Sequence, residues 1–392
     1  MPKHASGYLP DRPHPKWFGL ALVSLFVTSL LIALIGAFRE RASVTDENRL
    51  PAALPEASST LQDWVAFPGR FERYFNDHFG LRTRLLALDH WAKAVFFGVS
   101  PVPTVLVGTQ GWLYFLGEDA KAFDRWYRGI GAFTDAEIEA LRNEFLHRRE
   151  YLGHLGIPYV VIVVPEKYSV YPEFLPDWAK PVTPTTALDR IASDLAHHPE
   201  LHFIELRAAL RTAKQNERAY YKTDSHWNFV GASVGYRVLM AELERLLPGL
   251  STVPPGRPPY DPAVDFYSGD LSRMIGATAR FREDDIAPLW KILADTWPRC
   301  ASRDTAGETP GFEFYVYVCP KPPRYRALVY RDSMAIPLIP LLSENFVRTT
   351  YVSTRTMDPA LVERLKPDVV IEELVERTLN APLAFPFQVP AR

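Results

Sequence analysis

The stretch that most restricts the fold is Tyr159–Val164, reading YVVIVV. A continuous β-branched run of this length belongs to a strand buried on both faces, and such strands lie in parallel sheets covered by helices. The flanking patterns agree. Thr134–Gly156 has helical spacing, with Thr134 at the N-cap, Glu137 three residues later and Gly156 at the end. Ala187–His197 reads as a helix and Leu201–Leu206 as the next strand. Further on come strands at Ala327–Tyr330 and Phe346–Val352, a helix at Asp358–Lys366, a buried strand at Asp368–Glu372 and a short helix at Glu373–Leu379. Strand and helix alternate as in a doubly wound α/β layer structure with a mostly parallel central sheet. Thr104–Val107 and Trp112–Phe115 flank VGTQG, a hairpin signal.

The chain divides before this unit begins. Residues 1–16 are polar and proline-rich and read as a cytoplasmic tail. Trp17–Phe38 is a run without charge, long enough for a transmembrane helix, which needs roughly 20 apolar residues. It exceeds the roughly 7–15-residue apolar core of a cleavable signal. Basic residues flank it on both sides, so orientation rests on the cysteines. Residues 39–60 form a spacer rich in Pro, Ala and Ser, and Leu61–Phe97 has helical spacing that Gly80 interrupts. Residues 61–392 make up the remaining domain, with a Pro-, Gly-, Asp- and Arg-rich insert at about 248–323. That insert holds the only cysteines, Cys300 and Cys319. Two cysteines alone do not make a tetrahedral zinc site; they are either a disulfide or two buried thiols. The disulfide fits an exported domain, in the periplasm and held at the inner membrane by one helix. A net charge of −2 gives no support for nucleic-acid binding.

Chemistry concentrates in Tyr220–Gly231, YYKTDSHWNFVG. Asp224 and His226, two apart in an extended segment, project the same way. The carboxylate then fixes the imidazole tautomer for general-base work. Trp227 points into the core, and Asn228 caps the helical run that follows. A nucleophile stands about a hundred residues on, in YRDSMAIPLIPLL, where Ser333 follows a short strand and precedes a helix shortened or kinked by Pro337 and Pro340. Such a turn lifts a hydroxyl to the rim of the sheet beside free backbone N–H groups. The bland alternatives are a turn-capping Asp224, a satisfied half-buried His226 and a Ser333 that only caps. Lys167, in the loop after Tyr159–Val164, either stabilises an anion or holds its loop.

Six motifs together resemble the SGNH-hydrolase-like O-acetyltransferases of bacterial exopolysaccharides, the alginate O-acetyltransferase and DHHW-type group. They are YFNDHFGLR at Tyr74–Arg82, VGTQGWLYF at Val107–Phe115, VVPEKYSVYPE at Val163–Glu173, KTDSHWNFVGA at Lys222–Ala232, YSGDL at Tyr267–Leu271 and YRDSMAIPLIPLLSENF at Tyr330–Phe346. The resemblance implies a three-layer SGNH-hydrolase-like sandwich, with Asp-x-His ahead of the serine, and a triad of Asp224, His226 and Ser333. It adds Arg355, near a position where relatives carry an arginine, to Lys167, Tyr171 and Arg331 as substrate-binding candidates. Arg331 and Met334 stand where the family often has glycine and an aromatic. The implied activity moves an acetyl group through an acyl-serine to hydroxyls of an alginate- or cellulose-like polysaccharide. It needs no metal or cofactor, and its acetyl groups come from a membrane-spanning acyltransferase partner. A carbohydrate acetylesterase would use the same residues, and a non-catalytic scaffold of an export complex would use none of them.

Overall fold

The computed structural model describes residues 52–55, 60–78, 82–117, 120–131, 133–255, 267–283, 303–304, 314–319 and 325–380, with scattered positions between 20 and 31. Most of the expected membrane segment 17–38 and Cys300 lie outside the described residues. Among the described residues no helix is long and apolar enough to cross a membrane. The chain forms two compact units, 1–89 and 90–392. In the first, helix α1 (Leu61–His78) carries a ladder of aromatic rings, with those of Phe67 and Phe71 stacked at 6.0 Å. Asp77 is half-buried and accepts a bond from the Ala52 N–H at 2.8 Å, a structural role. Helix α2 (Arg82–Phe96) follows, and the expected break at Gly80 lies outside the described residues.

The second unit is built on a seven-stranded sheet. Its strands are β3 (Tyr159–Val164), β4 (His202–Glu205), β5 (Arg303–Asp304), β6 (Phe314–Val318), β7 (Arg326–Tyr330), β8 (Arg348–Val352) and β9 (Val369–Val375). A separate hairpin pairs β1 (Val105–Val107) with β2 (Leu113–Phe115). The sheet order is β4-β3-β9-β7-β8-β6-β5. The first five strands are parallel to their neighbours, while β6 and β5 add antiparallel at one edge. The insert is therefore not separate from the domain, because its strands close one edge of the main sheet.

Strand β3 shows why the sheet needs two covering layers. All six of its residues are buried. Val160, Ile162 and Val164 join one core cluster, with Leu206, Leu210, Trp227, Phe229, Leu239 and Leu338. Tyr159, Val161 and Val163 join the other, with Leu141, Phe145, Ile191 and Leu361. Helices α5 (Arg207–Ala213) and α6 (Phe229–Leu246) thus cover one face. Helices α3 (Asp135–His154), α4 (Ala187–Leu195) and α8 (Pro359–Leu365) cover the other. The period-2 alternation of a strand dictates this division. The capping box at Thr134 and Glu137 forms as expected, and Gly156 takes a left-handed φ of 70° just past α3.

One element differs from expectation. Glu373–Val375 continue β9, and the helical turn begins only at Glu376. Residues Glu373 and Val375 pair in register with Ile162 and Val164, and Glu373 Oε2 accepts the Asp332 N–H at 3.1 Å. Sheet pairing and a partner for the buried carboxyl override the helical pattern of the local sequence.

Candidate active site

The carboxyl ends of β3, β7 and β9 meet at one rim of the sheet, where ligands of open α/β folds gather. After β7, Asp332 caps a 3₁₀ turn, Ser333–Leu338, that runs into a helix at Ile339–Ser343. The two prolines keep both pieces short, as expected. Asp332 Oδ1 accepts the Met334 N–H at 2.8 Å, and Oδ2 accepts the Val375 N–H at 2.7 Å. Capping therefore falls to Asp332. Ser333 is half-buried, with its N–H at the start of the turn, where no intrahelical acceptor exists.

The Asp224–His226 loop descends onto this rim from the other side. It is a bend rather than an extended segment. The two side chains still meet, because Asp224 Oδ1 accepts the backbone N–H of His226 at 3.0 Å and lies 2.7 Å from its Nδ1. An aspartate that bonds the N–H two residues on makes this turn by itself. Asn228 caps α6 by accepting from Val230 and Gly231. Trp227 is fully buried, and its indole N–H donates to the Met334 carbonyl at 2.7 Å. That bond ties the histidine loop to the serine turn across 107 residues of chain.

Asp224 has its second oxygen filled as well. Oδ2 accepts the Tyr267 hydroxyl at 2.5 Å and the Asp270 N–H at 3.0 Å. Burial alone would raise this carboxyl, but the His226 bond and charge, Tyr267 and Asp270 N–H hold it well below the usual carboxylate range. Burial would lower His226; the Asp224 bond, the Asp224 charge and then the Asp270 charge outweigh it and raise the imidazole above its ordinary value, against Arg377. With Nδ1–H given to Asp224, the opposite nitrogen, Nε2, is buried and has no hydrogen-bond partner. It faces the task of a base with its lone pair uncommitted. The Ser333 hydroxyl is not bonded to it here, so the proximity of the two segments rests on the Trp227–Met334 bond. Catalytic hydrogen bonds commonly tighten only when substrate binds.

Asp224, His226 and Asp270 bring their ligand atoms within 4.8 Å of one another. They do not make a cation site in this arrangement. Each carboxylate is already filled by N–H or O–H donors: Asp224 as above, and Asp270 by Ser225 N at 2.7 Å and Ser225 Oγ at 2.5 Å.

The substrate-binding candidates separate by burial. Lys167 is 1% exposed, and its ammonium donates to the carbonyls of Tyr221 at 2.9 Å, Lys222 at 3.1 Å and Asp224 at 2.5 Å. Burial brings it down to about 8, partly offset by the charges of Glu283, Asp224, Asp270 and Glu166. It holds the loop from below. Tyr171 is also buried; its hydroxyl accepts the Ala219 N–H at 2.9 Å, and its ring stacks on Trp112 at 4.4 Å. Arg331 is 4% exposed, with its guanidinium over the Tyr315 ring at 5.1 Å. All three are buried, and in this arrangement they pack as supports of the rim rather than presenting an open face. Arg355 alone of the four is exposed. A cavity of about 370 Å³ opens beside Lys222, lined by Gly108, Gln110, Gly111, Arg280 and Arg282 among others. The residues that sequence reasoning left without a role are Tyr267 and Asp270. Their only signal was the YSGDL motif within an otherwise irregular insert.

Residues 105–289, just under half of the chain, match the family model for the SGNH hydrolase-like domain of acetyltransferase AlgX. That segment includes Asp224, His226, Tyr267 and Asp270 and stops short of Ser333. A probable alginate O-acetylase AlgJ from Pseudomonas syringae pv. tomato is 29% identical over 180 residues, covering 45% of this chain and 42% of that protein. The Pseudomonas aeruginosa counterpart is 28% identical over 184 residues, 44% of this chain and 41% of its own length. The chain thus matches less than half the length of these relatives. Among solved structures, PatB1 of Bacillus cereus aligns with a TM-score of 0.47 at 16% identity, covering 70% of this chain and 96% of that one. The chain is therefore similar, over residues 105–289, to the SGNH hydrolase-like domain of acetyltransferase AlgX, the kind of protein its motifs resemble.

Proposed function

We propose that this protein is a Ser-His-Asp O-acetyltransferase that modifies hydroxyls of a bacterial exopolysaccharide outside the cytoplasmic membrane. The observation that carries the reading is the His226 ring: Nδ1 is fixed on Asp224 at 2.7 Å, and Nε2 is buried and unpartnered at the rim that carries Ser333. His226 Nε2 takes the Ser333 proton as the oxygen attacks the acetyl carbonyl. The Ser333 N–H at the start of its turn supports the tetrahedral oxyanion, a contribution of about 3 kcal/mol per donor. The C–O bond to the donor breaks, and His226 returns its proton to the leaving group. A sugar hydroxyl then gives its proton to Nε2 and attacks the acyl-serine; the acyl–Oγ bond breaks and Ser333 Oγ takes that proton back from Nε2. Asp224 stays ionised throughout and stabilises the transient imidazolium.

The acceptor reading is supported by the cavity beside Lys222, whose Lys222, Arg280 and Arg282 lining suits an acidic, alginate-like polymer. An anchor at residues 17–38, a periplasmic domain, a Cys300–Cys319 disulfide and a membrane-spanning acyltransferase as acetyl source complete the proposal. Cys319 is buried, 6% exposed, and is not a free thiol, which supports the bridge.

The test is to incubate the purified full-length protein with p-nitrophenyl acetate and alginate oligosaccharides and weigh the products by mass spectrometry. Acetylated oligosaccharide is expected, with transfer reduced at least about 1,000-fold in Ser333→Ala. Free acetate with no acetylated sugar would make the protein an esterase. Full activity in Ser333→Ala would remove Ser333 from the mechanism.

A further inference from the structure

The mechanism above uses neither Tyr267 nor Asp270, yet the segment that carries them is packed against the Asp224 loop as closely as two backbones allow. Gly269 makes this approach possible. A Cβ there would stand 2.3 Å from the Thr223 carbonyl oxygen and 2.4 Å from the Asp224 nitrogen. The Gly269 N–H donates to Thr223 Oγ1 at 3.0 Å, and the Ser272 N–H to the Thr223 carbonyl at 3.2 Å. From this position Tyr267 and the Asp270 N–H fill Oδ2 of Asp224. The Asp270 carboxylate, at the start of helix α7 (Asp270–Met274), takes Ser225 N and Ser225 Oγ and lies 3.8 Å from His226 Nδ1. Ser225 Oγ itself stands 3.3 Å from Nδ1.

We propose that Tyr267 and Asp270 are positioning residues for the His226–Asp224 pair: Tyr267 locks the free oxygen of Asp224, and Asp270 supplies a second negative charge to the Nδ1 side of the imidazole through Ser225. The inference rests on the reading of Ser333, His226 and Asp224 as the reacting set. It gives the histidine of this site two carboxylates on its Nδ1 side rather than one. Asp224 restrains the ring directly. Asp270 restrains the residue between them and adds charge at one remove.

The two residues act on His226 with opposite sign. The groups that face the ring are Asp224 and Asp270, both anionic, and Arg377, which follows β9 and opposes them. The Lys167 ammonium lies beneath the loop, within the field of the same two carboxylates. Removing the Asp270 charge leaves Asp224 alone against Arg377 and Lys167, so the imidazolium loses support and His226 gives up its proton at lower pH. Removing the Tyr267 hydroxyl leaves every formal charge in place. It withdraws a donor from Asp224, whose charge then falls more fully on His226, and the ring holds its proton to higher pH.

The experiment is a pH–rate profile of p-nitrophenyl acetate turnover for wild type, Asp270→Asn and Tyr267→Phe, in the full chain. Alongside it, the His226 imidazole proton is titrated by NMR, assigned by its loss in His226→Asn. Because His226 must be unprotonated to act as base, the acid limb reports its proton affinity. In Asp270→Asn the limb and the NMR titration should move about 0.5–1 pH unit downward. In Tyr267→Phe both should move upward, and kcat should fall roughly tenfold in each variant with KM unchanged. A residue that merely stabilised the fold would lower the melting temperature without moving the two titrations in opposite directions. Ser225→Ala leaves both formal charges in place and removes the hydroxyl that stands between Asp270 and Nδ1, so the ring loses that contact and the titration should move downward here too, which serves if Asp270→Asn does not fold. An unmoved His226 titration in these variants overturns the inference while leaving the reacting set intact. Full activity in Ser333→Ala overturns the reacting set, and the NMR titration still decides the roles of Tyr267 and Asp270.

Discussion

Lys167, in the loop after β3, is walled in by the segment it supports. An ammonium that is 1% exposed would be costly, except that three carbonyls of the Asp224 loop surround it. The rings of Trp112 and Tyr114 lie 5.9 and 5.7 Å from it. Lys167→Met keeps the stem's packing and strands the three acceptors. The expected loss is about 1–3 kcal/mol of stability, measured by denaturant unfolding, with kcat reduced and KM for the polysaccharide little changed. A selective rise in KM would return Lys167 to the substrate. Its lowered proton affinity also has a consequence for stability. Between about 8 and the ordinary lysine value the unfolded chain binds more protons than the folded one at this position, so its contribution to stability rises with pH across that window.

At the scale of elements, the candidate rim is made of short, irregular pieces whose lengths are set by residues that cannot do otherwise. Pro337 and Pro340 hold the serine turn to a 3₁₀ stretch and a helix of five residues. Asn228 starts α6 immediately after the histidine loop. Gly231 lets α6 pass the Ala219 carbonyl, where a Cβ would come within 2.3 Å. Gly269 does the same for the Tyr267–Asp270 segment. Gly269→Ala should push that segment off the Asp224 loop and cost about 1–3 kcal/mol, as overpacking does. It should also cost activity beyond that loss, since Tyr267 and Asp270 leave together. Thermal melting and turnover measured on the same sample separate the two effects; activity that tracks the folded fraction alone would argue against the clamp.

Across the whole molecule, the site is a product of convergence. The Asp224–His226 loop precedes α6 on one face of the sheet, whereas Ser333 follows β7 in its middle. The Trp227 indole bond to the Met334 carbonyl joins them. Trp227→Phe retains a large buried ring and removes the bond. The expected outcome is a loss of roughly 1 kcal/mol in stability with a larger fall in kcat than in binding, because the serine turn is no longer registered to the histidine. A variant with wild-type kcat would show that the sheet alone holds that register.

The α/β class was legible in YVVIVV, because a strand without a polar face has to be covered on both sides, and two core clusters do cover it. The capping box at Thr134, the Asn228 cap and the broken helix after Ser333 were legible for the same reason: caps and prolines act within a few residues. Asp224 and His226 are close in sequence, and their contact follows from a local turn. The continuation of β9 through Glu373–Val375 was not legible, since it depends on register with β3. Neither were the burial of Lys167, Tyr171 and Arg331 nor the part played by Tyr267 and Asp270. Local sequence determines what a segment is able to form and which groups it carries. Which of those groups face a substrate, and which are walled in to hold the others still, depends on what packs against them from distant parts of the chain, and only the tertiary structure decides that.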